Sequence, residues 1–275
     1  MFAKVALIQS DIRWKSVDYN LQTIEQMIAA APQSDLYVLP ETFATGFGTE
    51  PSEAAKAEQQ IVEMMSRVAK KSNCAVCGSL IAVTIDKWTE DNKKAEIIAT
   101  LIVERDGRYR NRLMFVTPES AEHYDKRHLF SIGGEGAMYE AGTERRIVEW
   151  RRIKWLLATC YDLRFPVWLR NRGDYDAMIC VASWPAARTD VWTTLLRARA
   201  IENVACVVGV NRVGEDPTTH YAGESVAFNY RGEALTQPSN SECVLTTEID
   251  LAALQAFRRK FPVERDADDF ELVKR

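Results

Sequence analysis

The sequence predicts an α/β fold with mixed β-sheets, on the evidence of three features. Apolar runs of strand length alternate with segments in which apolar residues recur at helical spacing, as do Leu21, Ile24 and Ile28. Several runs are apolar at almost every position, which is typical of strands buried on both faces and covered by helices. The turn signal Glu104-Arg-Asp-Gly107 joins two such runs and predicts a hairpin, so we expect antiparallel as well as parallel strand pairs.

The elements follow one another without a linker rich in Gly, Pro or Ser and without an internal repeat. Predicted strands cover residues 5–8, 36–39, 75–85, 95–103, 109–116, 153–159, 177–182, 204–210, 225–230 and 244–249. Two further helices are predicted from the spacing of Ile61, Met65 and Val68, after a start at Pro51, and of Val191, Leu195 and Ala198. We therefore expect one domain over residues 1–250, followed by a charged tail over residues 251–275.

Composition excludes several classes of function. The formal net charge is −4 with acids and bases interleaved, which leaves no basic surface for nucleic acid. No apolar segment approaches the ~18 residues that a membrane span needs, and the first ten residues lack the pattern of a secretory signal. The six cysteines do not suggest a disulfide framework. We expect a cytoplasmic protein with reduced thiols that binds neither nucleic acid nor membrane.

Three residues that can take part in catalysis lie next to predicted strands. Glu41 and Cys160 follow strand ends, and Lys126 lies in a polar loop after another apolar run. Side chains at the carboxyl ends of strands emerge from the core into a crevice. There the thiol of Cys160 could attack a substrate, and the carboxylate of Glu41 could take the thiol proton. The ammonium of Lys126 could hold the resulting oxyanion together with the Tyr161 N–H. A cysteine at a strand end is more often structural, so these residues alone leave both interpretations open.

Three segments resemble the signature regions of the nitrilase, or carbon–nitrogen hydrolase, superfamily, and they occur in the order of that family. They are Leu39-Pro-Glu-Thr-Phe43, Tyr124-Asp-Lys-Arg-His-Leu-Phe130 and Thr159-Cys-Tyr-Asp-Leu-Arg-Phe-Pro166. Residues 182–185, 197–203 and 211–214 extend the likeness over nearly the whole chain. The resemblance implies a four-layer α-β-β-α sandwich and a catalytic triad of Glu41, Lys126 and Cys160 that forms a thioester without metal or cofactor.

The same resemblance implies further features of the site and the assembly. Family members carry a second glutamate that positions the lysine and the substrate; Glu135 is our assignment and Glu140 the alternative. They commonly form homodimers or larger homo-oligomers through the strand and helix after the nucleophile. Their carboxyl tails often reach the neighbouring subunit, as residues 251–275 are expected to do here.

The residues after Cys160 resemble those of the ω-amidase branch, whereas true nitrilases typically carry Trp-Glu there. That branch hydrolyses the terminal amide of short 2-oxo dicarboxylic monoamides such as 2-oxoglutaramate to an acid and ammonia. The alternative is an amidase or carbamoylase that acts on a different small linear amide. The substrate-binding residues expected, counting Tyr161 for its backbone N–H, are Phe43, Tyr124, Tyr161, Arg164, Trp184 and Arg188.

Two of these assignments leave alternatives. Arg188 and Arg164 are both candidates to bind the free carboxylate of the substrate, and Arg164 could instead pair with Asp162. The aromatic side chains are expected to line the pocket, although ordinary core packing explains each of them equally well.

Three other functions are open to the residues alone. A papain-type hydrolase would use one of the three histidines, but the Cys-Gly-x-Cys-Trp segment of that class does not occur. Cys74 and Cys77 have the spacing of half a metal or redox site, but a single pair that opens a strand pattern is expected to be buried and structural. A non-catalytic binding module usually lacks a member of the triad, and all three members occur here.

Overall fold

Two β-sheets form the centre of the computed structural model, which describes residues 2–84 and 108–272. The first sheet is formed by β1 (Phe2–Gln9), β2 (Leu36–Val38), β3 (Ala75–Thr84), β4 (Arg108–Val116), β5 (Ala121–Asp125) and β13 (Cys243–Asp250). The second is formed by β6 (Ile147–Trp150), β7 (Ile153–Thr159), β8 (Ala177–Ala182), β9 (Cys206–Asn211) and β12 (Val226–Phe228). A separate hairpin pairs β10 (Val213–Glu215) with β11 (His220–Ala222).

Both sheets are mixed, as the sequence predicts. The strand order is β13-β1-β2-β3-β4-β5 in the first sheet and β12-β9-β8-β7-β6 in the second. β1, β2 and β3 are parallel to one another, as are β7, β8 and β9, while the outer pairings are antiparallel. The predicted strand over residues 95–103 and the turn at 104–107 lie outside the described residues.

The described residues form the helices α1 (Val17–Ala30), α2 (Pro51–Ala54), α3 (Glu58–Ser72), α4 (Glu135–Met138), α5 (Pro166–Leu169), α6 (Thr189–Asn203) and α7 (Leu251–Lys260). Of these, α1 and α3 pack on the outer face of the first sheet and α6 packs on that of the second. Among the described residues, no helix is both long enough and apolar enough to cross a membrane.

Alternation along β1 shows how the layers are built. Val5 and Leu7 face the second sheet and share a core with its residues, such as Leu157. Ala6 and Ile8 face the other way and pack with apolar residues of α1 and α3. Because successive side chains of a strand point to opposite faces, β1 contributes to two apolar layers. With α6 on the outer face of the second sheet, the molecule is the predicted α-β-β-α sandwich.

The helix predicted from the spacing of Val191, Leu195 and Ala198 is confirmed as α6, and Val191 and Leu195 pack against the core. All three side chains are only partly buried. Trp192 and Leu196 are fully buried instead, and they lie against Gly209 of β9. A side chain on Gly209 would fill the space that Leu196 occupies, so the glycine sets which face of α6 meets the sheet.

The first ten residues of the predicted tail form α7, which packs on the domain. Leu251 and Leu254 are buried in the same core as the strands of the second sheet. Arg258 donates hydrogen bonds to the carbonyl of Val204 at 2.9 Å and to the carboxylate of Asp176 at 3.1 Å. Residues 261–272, beyond this helix, are mostly exposed.

Residues 139–142 run alongside β4 and β5 and come very close to them. The Gly142 N–H donates to the carbonyl of Lys126 at 2.9 Å, and the Glu140 N–H donates to that of Tyr109 at 2.8 Å. A Cβ atom at Gly142 would overlap the carbonyl oxygen of Asp125 and lie 2.7 Å from the carbonyl carbon. This contact is between backbone atoms, so it cannot be relieved by rotating a side chain.

Gly142→Ala is therefore expected to lower the free energy of unfolding by about 1–3 kcal/mol, the usual cost of overpacking. Urea denaturation measures this value. Gly136→Ala is the matched control, because the nearest atom to its added Cβ is Ser131 Oγ at 3.7 Å. Equal stability of the two variants would contradict the close approach at Gly142.

Candidate active site

A cluster of three charged side chains lies at one end of the core between the sheets. The Lys126 Nζ atom is 2.8 Å from Glu41 Oε1 and 2.8 Å from Glu135 Oε2, and all three side chains are 0% exposed. Asn111 Nδ2 donates to Glu41 Oε1 at 2.8 Å and to Glu135 Oε1 at 3.2 Å. The structure thus brings together two carboxylates, one ammonium and one amide from four separate segments.

Glu41 is held by both sheets. It follows the end of β2, and the next residue, Thr42, has a left-handed backbone with φ of 45°. The Ser183 N–H, just after β8 of the second sheet, donates to Glu41 Oε2 at 2.8 Å. The Ser183 hydroxyl donates to the Glu41 carbonyl at 3.2 Å. The carboxylate therefore sits where strand ends of the two sheets meet.

Lys126 directly follows β5 and shares the inner face of that strand with Tyr124. Glu135 is the first residue of α4 and accepts a hydrogen bond from the Phe130 N–H at 2.6 Å. Glu140 lies elsewhere and forms ion pairs with Arg108 and Arg110 at 2.9 and 2.7 Å. Of the two alternatives from the sequence, Glu135 is the glutamate in contact with the lysine.

Cys160 follows β7 directly and has an unusual backbone conformation. Its φ is 47°, a value that non-glycine residues rarely adopt, and it begins the 3-10 turn Cys160–Arg164. The residue is 9% exposed, and it lines the same cavity as Lys126. Strained backbone of this kind is often found at functional sites, where the surrounding structure holds it in place.

The charges around Cys160 favour its neutral form. Burial raises the pKa of the Cys160 thiol well above its ordinary value, and the carboxylates of Glu41 and Glu135 raise it further. Lys126 opposes this effect only in part. Burial alone would lower the pKa of Lys126, but the same two carboxylates raise it well above its ordinary value. Both shifts favour a charged lysine and an uncharged thiol in the resting cluster.

A second buried network joins the lysine loop to the cysteine turn. Asp162 is 0% exposed and accepts hydrogen bonds from the Thr159 N–H at 3.0 Å and the Tyr124 hydroxyl at 2.8 Å. It also accepts from the His128 N–H at 2.9 Å, and His128 Nδ1 lies 2.8 Å from the same oxygen. The network fixes the position of the residues after Lys126 relative to those around Cys160.

The cavity next to Cys160 has a volume of about 970 Å³. Four of the six predicted substrate-binding residues line it, namely Tyr161, Arg164, Trp184 and Arg188. Sequence reasoning missed other lining residues, which come from distant loops and from the β10–β11 hairpin: Trp14, Phe47, Phe130, Met138 and Asp216 to Tyr221. Phe130 closes the second signature segment, so its position in the sequence could have indicated it.

The prediction that Phe43 and Tyr124 line the pocket is wrong. Phe43 is 0% exposed and packs in the outer core beneath α3, in contact with the backbone of Gly78. Tyr124 is 1% exposed, and its hydroxyl is held by Asp162 and by Trp168 Nε1 at 3.1 Å. Both residues lie within two positions of a residue of the charged cluster, but their side chains point away from the cavity.

The two candidate arginines lie on the cavity wall beside aromatic rings. The guanidinium of Arg164 is 5.2 Å from the ring centre of Trp184, and that of Arg188 is 5.6 Å from that of Phe130. The alternative pairing of Arg164 with Asp162 is wrong, because Asp162 is bonded to the network described above. Within residues 2–84 and 108–272, neither arginine forms an ion pair.

Cys74 and Cys77 lie on opposite faces of the first sheet. Both are buried free thiols, as predicted, with Cys74 in the core under α1 and α3 and Cys77 in the core between the sheets. Burial raises the pKa of Cys74 to about 11. The described part of the chain contains no group of three or more His, Cys, Asp or Glu side chains arranged to hold a metal ion.

The sandwich and the Glu–Lys–Glu cluster beside a cysteine define a thiol hydrolase of the nitrilase type. The family model for carbon–nitrogen hydrolases matches residues 4–259, so the chain belongs to the carbon–nitrogen hydrolase family and is an enzyme that hydrolyses carbon–nitrogen bonds. The chain is 39% identical over 273 residues to the omega-amidase YafV of Yersinia enterocolitica, covering 98% of each protein. It is 28% identical to the 2-oxoglutaramate amidase of Bacillus subtilis, covering 95% of this chain and 96% of that protein.

Solved structures show the same fold. XC1258 of Xanthomonas campestris, a CN-hydrolase superfamily protein described with an arsenic adduct in its active site, superimposes with a TM-score of 0.87 at 38% identity. That match covers 99% of this chain and 100% of XC1258. Nit3 of Saccharomyces cerevisiae matches with a TM-score of 0.78 at 21% identity, covering 95% of each chain.

Proposed function

We propose that this enzyme hydrolyses the terminal amide of small dicarboxylic monoamides, such as 2-oxoglutaramate, to a dicarboxylic acid and ammonia. The observation that carries this proposal is the position of Cys160 beside the Glu41–Lys126–Glu135 cluster, in a cavity with two arginines on its wall. The names of its relatives, an omega-amidase at 39% identity and a 2-oxoglutaramate amidase at 28%, support the substrate class.

In the first proposed step, the Cys160 sulfur attacks the amide carbon. Glu41 takes the thiol proton as the carbon–sulfur bond forms, because the raised pKa of Cys160 keeps the thiol neutral until then. The electron pair of the carbonyl moves to its oxygen. The oxyanion is stabilised by Lys126 and by the Tyr161 N–H, while Glu135 holds the lysine in place.

In the second proposed step, the carbon–nitrogen bond breaks and leaves a thioester on Cys160. Glu41 returns its proton to the departing nitrogen, which leaves as ammonia. Glu41 then takes a proton from water as the water attacks the thioester carbonyl. The carbon–sulfur bond breaks, the sulfur regains a proton, and the free acid departs, so the enzyme returns to its starting state.

The free carboxylate of the substrate requires a cation, and the location of Arg188 and Arg164 on the cavity wall supports the proposal that they supply it. Arginine binds carboxylates through paired N–H donors, and both guanidinium groups are on the cavity wall without a carboxylate partner among the described residues. A small neutral amide gains nothing from these two cations. This is what distinguishes the proposed substrate from the alternative, a different linear amide or a carbamoyl compound.

Replacing the nucleophile tests the proposed reaction directly. Cys160→Ala is expected to lower kcat for ammonia release from 2-oxoglutaramate or succinamate by at least about 10³-fold, since no thioester can form. Cys243→Ala is the control, because that thiol is more exposed than Cys160 but lies on β13, outside the cavity. Wild-type ammonia release by the Cys160 variant would rule out the proposed reaction.

The two arginines are tested by comparing amides with and without a distal carboxylate. Arg164→Met and Arg188→Met are expected to raise KM for the acidic amide by about 10–100-fold, as the loss of a charge-assisted hydrogen bond implies. KM for a neutral amide of the same length should change little. Arg172→Met serves as a control, since Arg172 stacks on Phe270 away from the cavity. Equal effects on both amides would contradict recognition of the carboxylate.

We further propose a homodimer in the reducing cytoplasm. The six unpaired cysteines support the compartment. Two apolar side chains that follow Cys160 in the sequence are exposed: Val167 of α5 by 55% and Ile201 of α6 by 49%. Exposed apolar side chains of this kind suit a subunit interface. The tail beyond α7 would extend that interface. Light scattering is expected to give a molar mass of about twice the 31.2 kDa of the chain. Cell fractionation is expected to recover the enzyme together with cytoplasmic markers. A molar mass of one chain would refute the dimer.

A further inference from the structure

Asn111 lies within the charged cluster without a role in the reaction described above. It belongs to β4 and shares the inner face of that strand with Leu113 and Phe115, both of which pack in the core between the sheets. It is 1% exposed. Its Nδ2 atom lies 2.8 Å from Glu41 Oε1 and 3.2 Å from Glu135 Oε1, so one amide group contacts both carboxylates.

The cluster needs such a donor because its charges do not balance. Two carboxylates face a single ammonium, and Lys126 Nζ already contacts Glu41 Oε1 and both oxygens of Glu135. Within the described parts of the chain, the remaining donors to the carboxylates are the backbone N–H groups of Ser183 and Phe130 and the side chain of Asn111. Hydrogen bonds to an ionised carboxylate favour its ionised form, and buried ones do so strongly.

The two carboxylates also fix the orientation of the amide. Asn111 Oδ1 is buried and has no hydrogen-bond partner among the described residues, so no donor to the oxygen sets this orientation. A flipped amide would place that oxygen against two carboxylates. The neighbouring strand residues Arg110 and Arg112 point to the opposite face, where they pair with Glu140 and Asp125. Asn111 is thus the residue of β4 that turns a polar group toward the cluster.

We propose that Asn111 is a positioning residue of this hydrolase, which keeps Glu41 ionised next to Glu135 so that Glu41 can accept the Cys160 proton at neutral pH. The proposal rests on the base role of Glu41 in the proposed function. Other titratable groups also interact with the same carboxylates and contribute to the pH profile of the wild-type enzyme, so each variant is compared with the wild type. These groups are Lys126 after β5, Glu135 of α4, Tyr139 after α4, Cys160 after β7 and Cys180 of β8.

Asn111→Leu tests the proposal, because leucine has a similar shape and no donor. Without the amide, Glu41 Oε1 loses a hydrogen bond that favours its ionised form. The acid limb of the pH profile of kcat/KM is then expected to move upward by about one pH unit, with a fall of about tenfold on the acid side of the limb. The loss should fall on kcat more than on KM, since Asn111 does not line the cavity.

Two further variants separate positioning from packing. Asn111→Ser keeps a hydrogen-bond donor in a smaller side chain. It should therefore move the acid limb less than Asn111→Leu does. It also tests the proposal if the leucine variant does not fold. Asn203→Leu removes another buried asparagine, which donates to Arg199 at 3.0 Å in α6. It is expected to lower the melting temperature and leave the acid limb in place.

A substrate-independent measurement keeps this proposal separate from the proposed substrate class. Alkylation of Cys160 by iodoacetamide needs the same proton removal, so its rate should show the same upward shift in Asn111→Leu whichever amide the enzyme hydrolyses. An acid limb that stays in place in Asn111→Leu, whether activity is unchanged or uniformly lowered, overturns the role of Asn111. If the wild-type protein shows no acid limb in its pH profile, in alkylation as well as in turnover, the role of Glu41 as the base is overturned instead.

Discussion

The burial of Lys126 between two carboxylates is the interaction on which the site depends. Moving a charged group out of water costs several kcal/mol, and here three charged side chains are 0% exposed. Contacts of 2.8 Å to Glu41 and Glu135 offset that cost only while all three stay together. Because they come from the end of β2, the end of β5 and the start of α4, the cluster constrains how these elements meet. It also explains why Ser183 and Phe130 turn backbone N–H groups toward it.

The backbone is strained at two points where the chain turns toward the charged cluster, and nearby hydrogen bonds hold it in that conformation. Thr42 and Cys160 both have positive φ values, 45° and 47°, just where the chain turns out of a strand toward the cluster. Each conformation costs of order 1–3 kcal/mol and persists only if its surroundings hold it. Around Cys160 this is done by Asp162, whose Oδ2 atom accepts hydrogen bonds from the Thr159 N–H and from the hydroxyl of Tyr124 in the other sheet. Cys160, the proposed nucleophile, is therefore positioned by contacts between the sheets.

Sequence reasoning succeeded where the signal is local and failed where it depends on side-chain direction across the fold. The apolar run 153–159 coincides with β7, so the place of Cys160 at a strand end was predictable. The resemblance to the family pointed to Glu41, Lys126 and Glu135, which the structure brings into one cluster. Phe43 and Tyr124 were misplaced because closeness in sequence to Glu41 and Lys126 does not say which way a ring points. Asn111 sits in the polar segment Arg110-Asn-Arg112 and meets Glu41 across 70 positions, so no local pattern identifies it.

The charge of the cluster also decides what kind of thiol enzyme this can be. Many cysteine hydrolases lower the pKa of the nucleophile with a neighbouring cation, so that a thiolate is present before substrate binds. Here two carboxylates outweigh one ammonium, and burial and the carboxylates together raise the pKa of Cys160. A preformed thiolate would add another negative charge to a cluster that already carries an excess of one. In the proposed reaction the proton must therefore leave during attack, when Lys126 can turn from balancing carboxylates to stabilising the new oxyanion. An arrangement that is unfavourable for the thiolate at rest thus becomes favourable for the transition state.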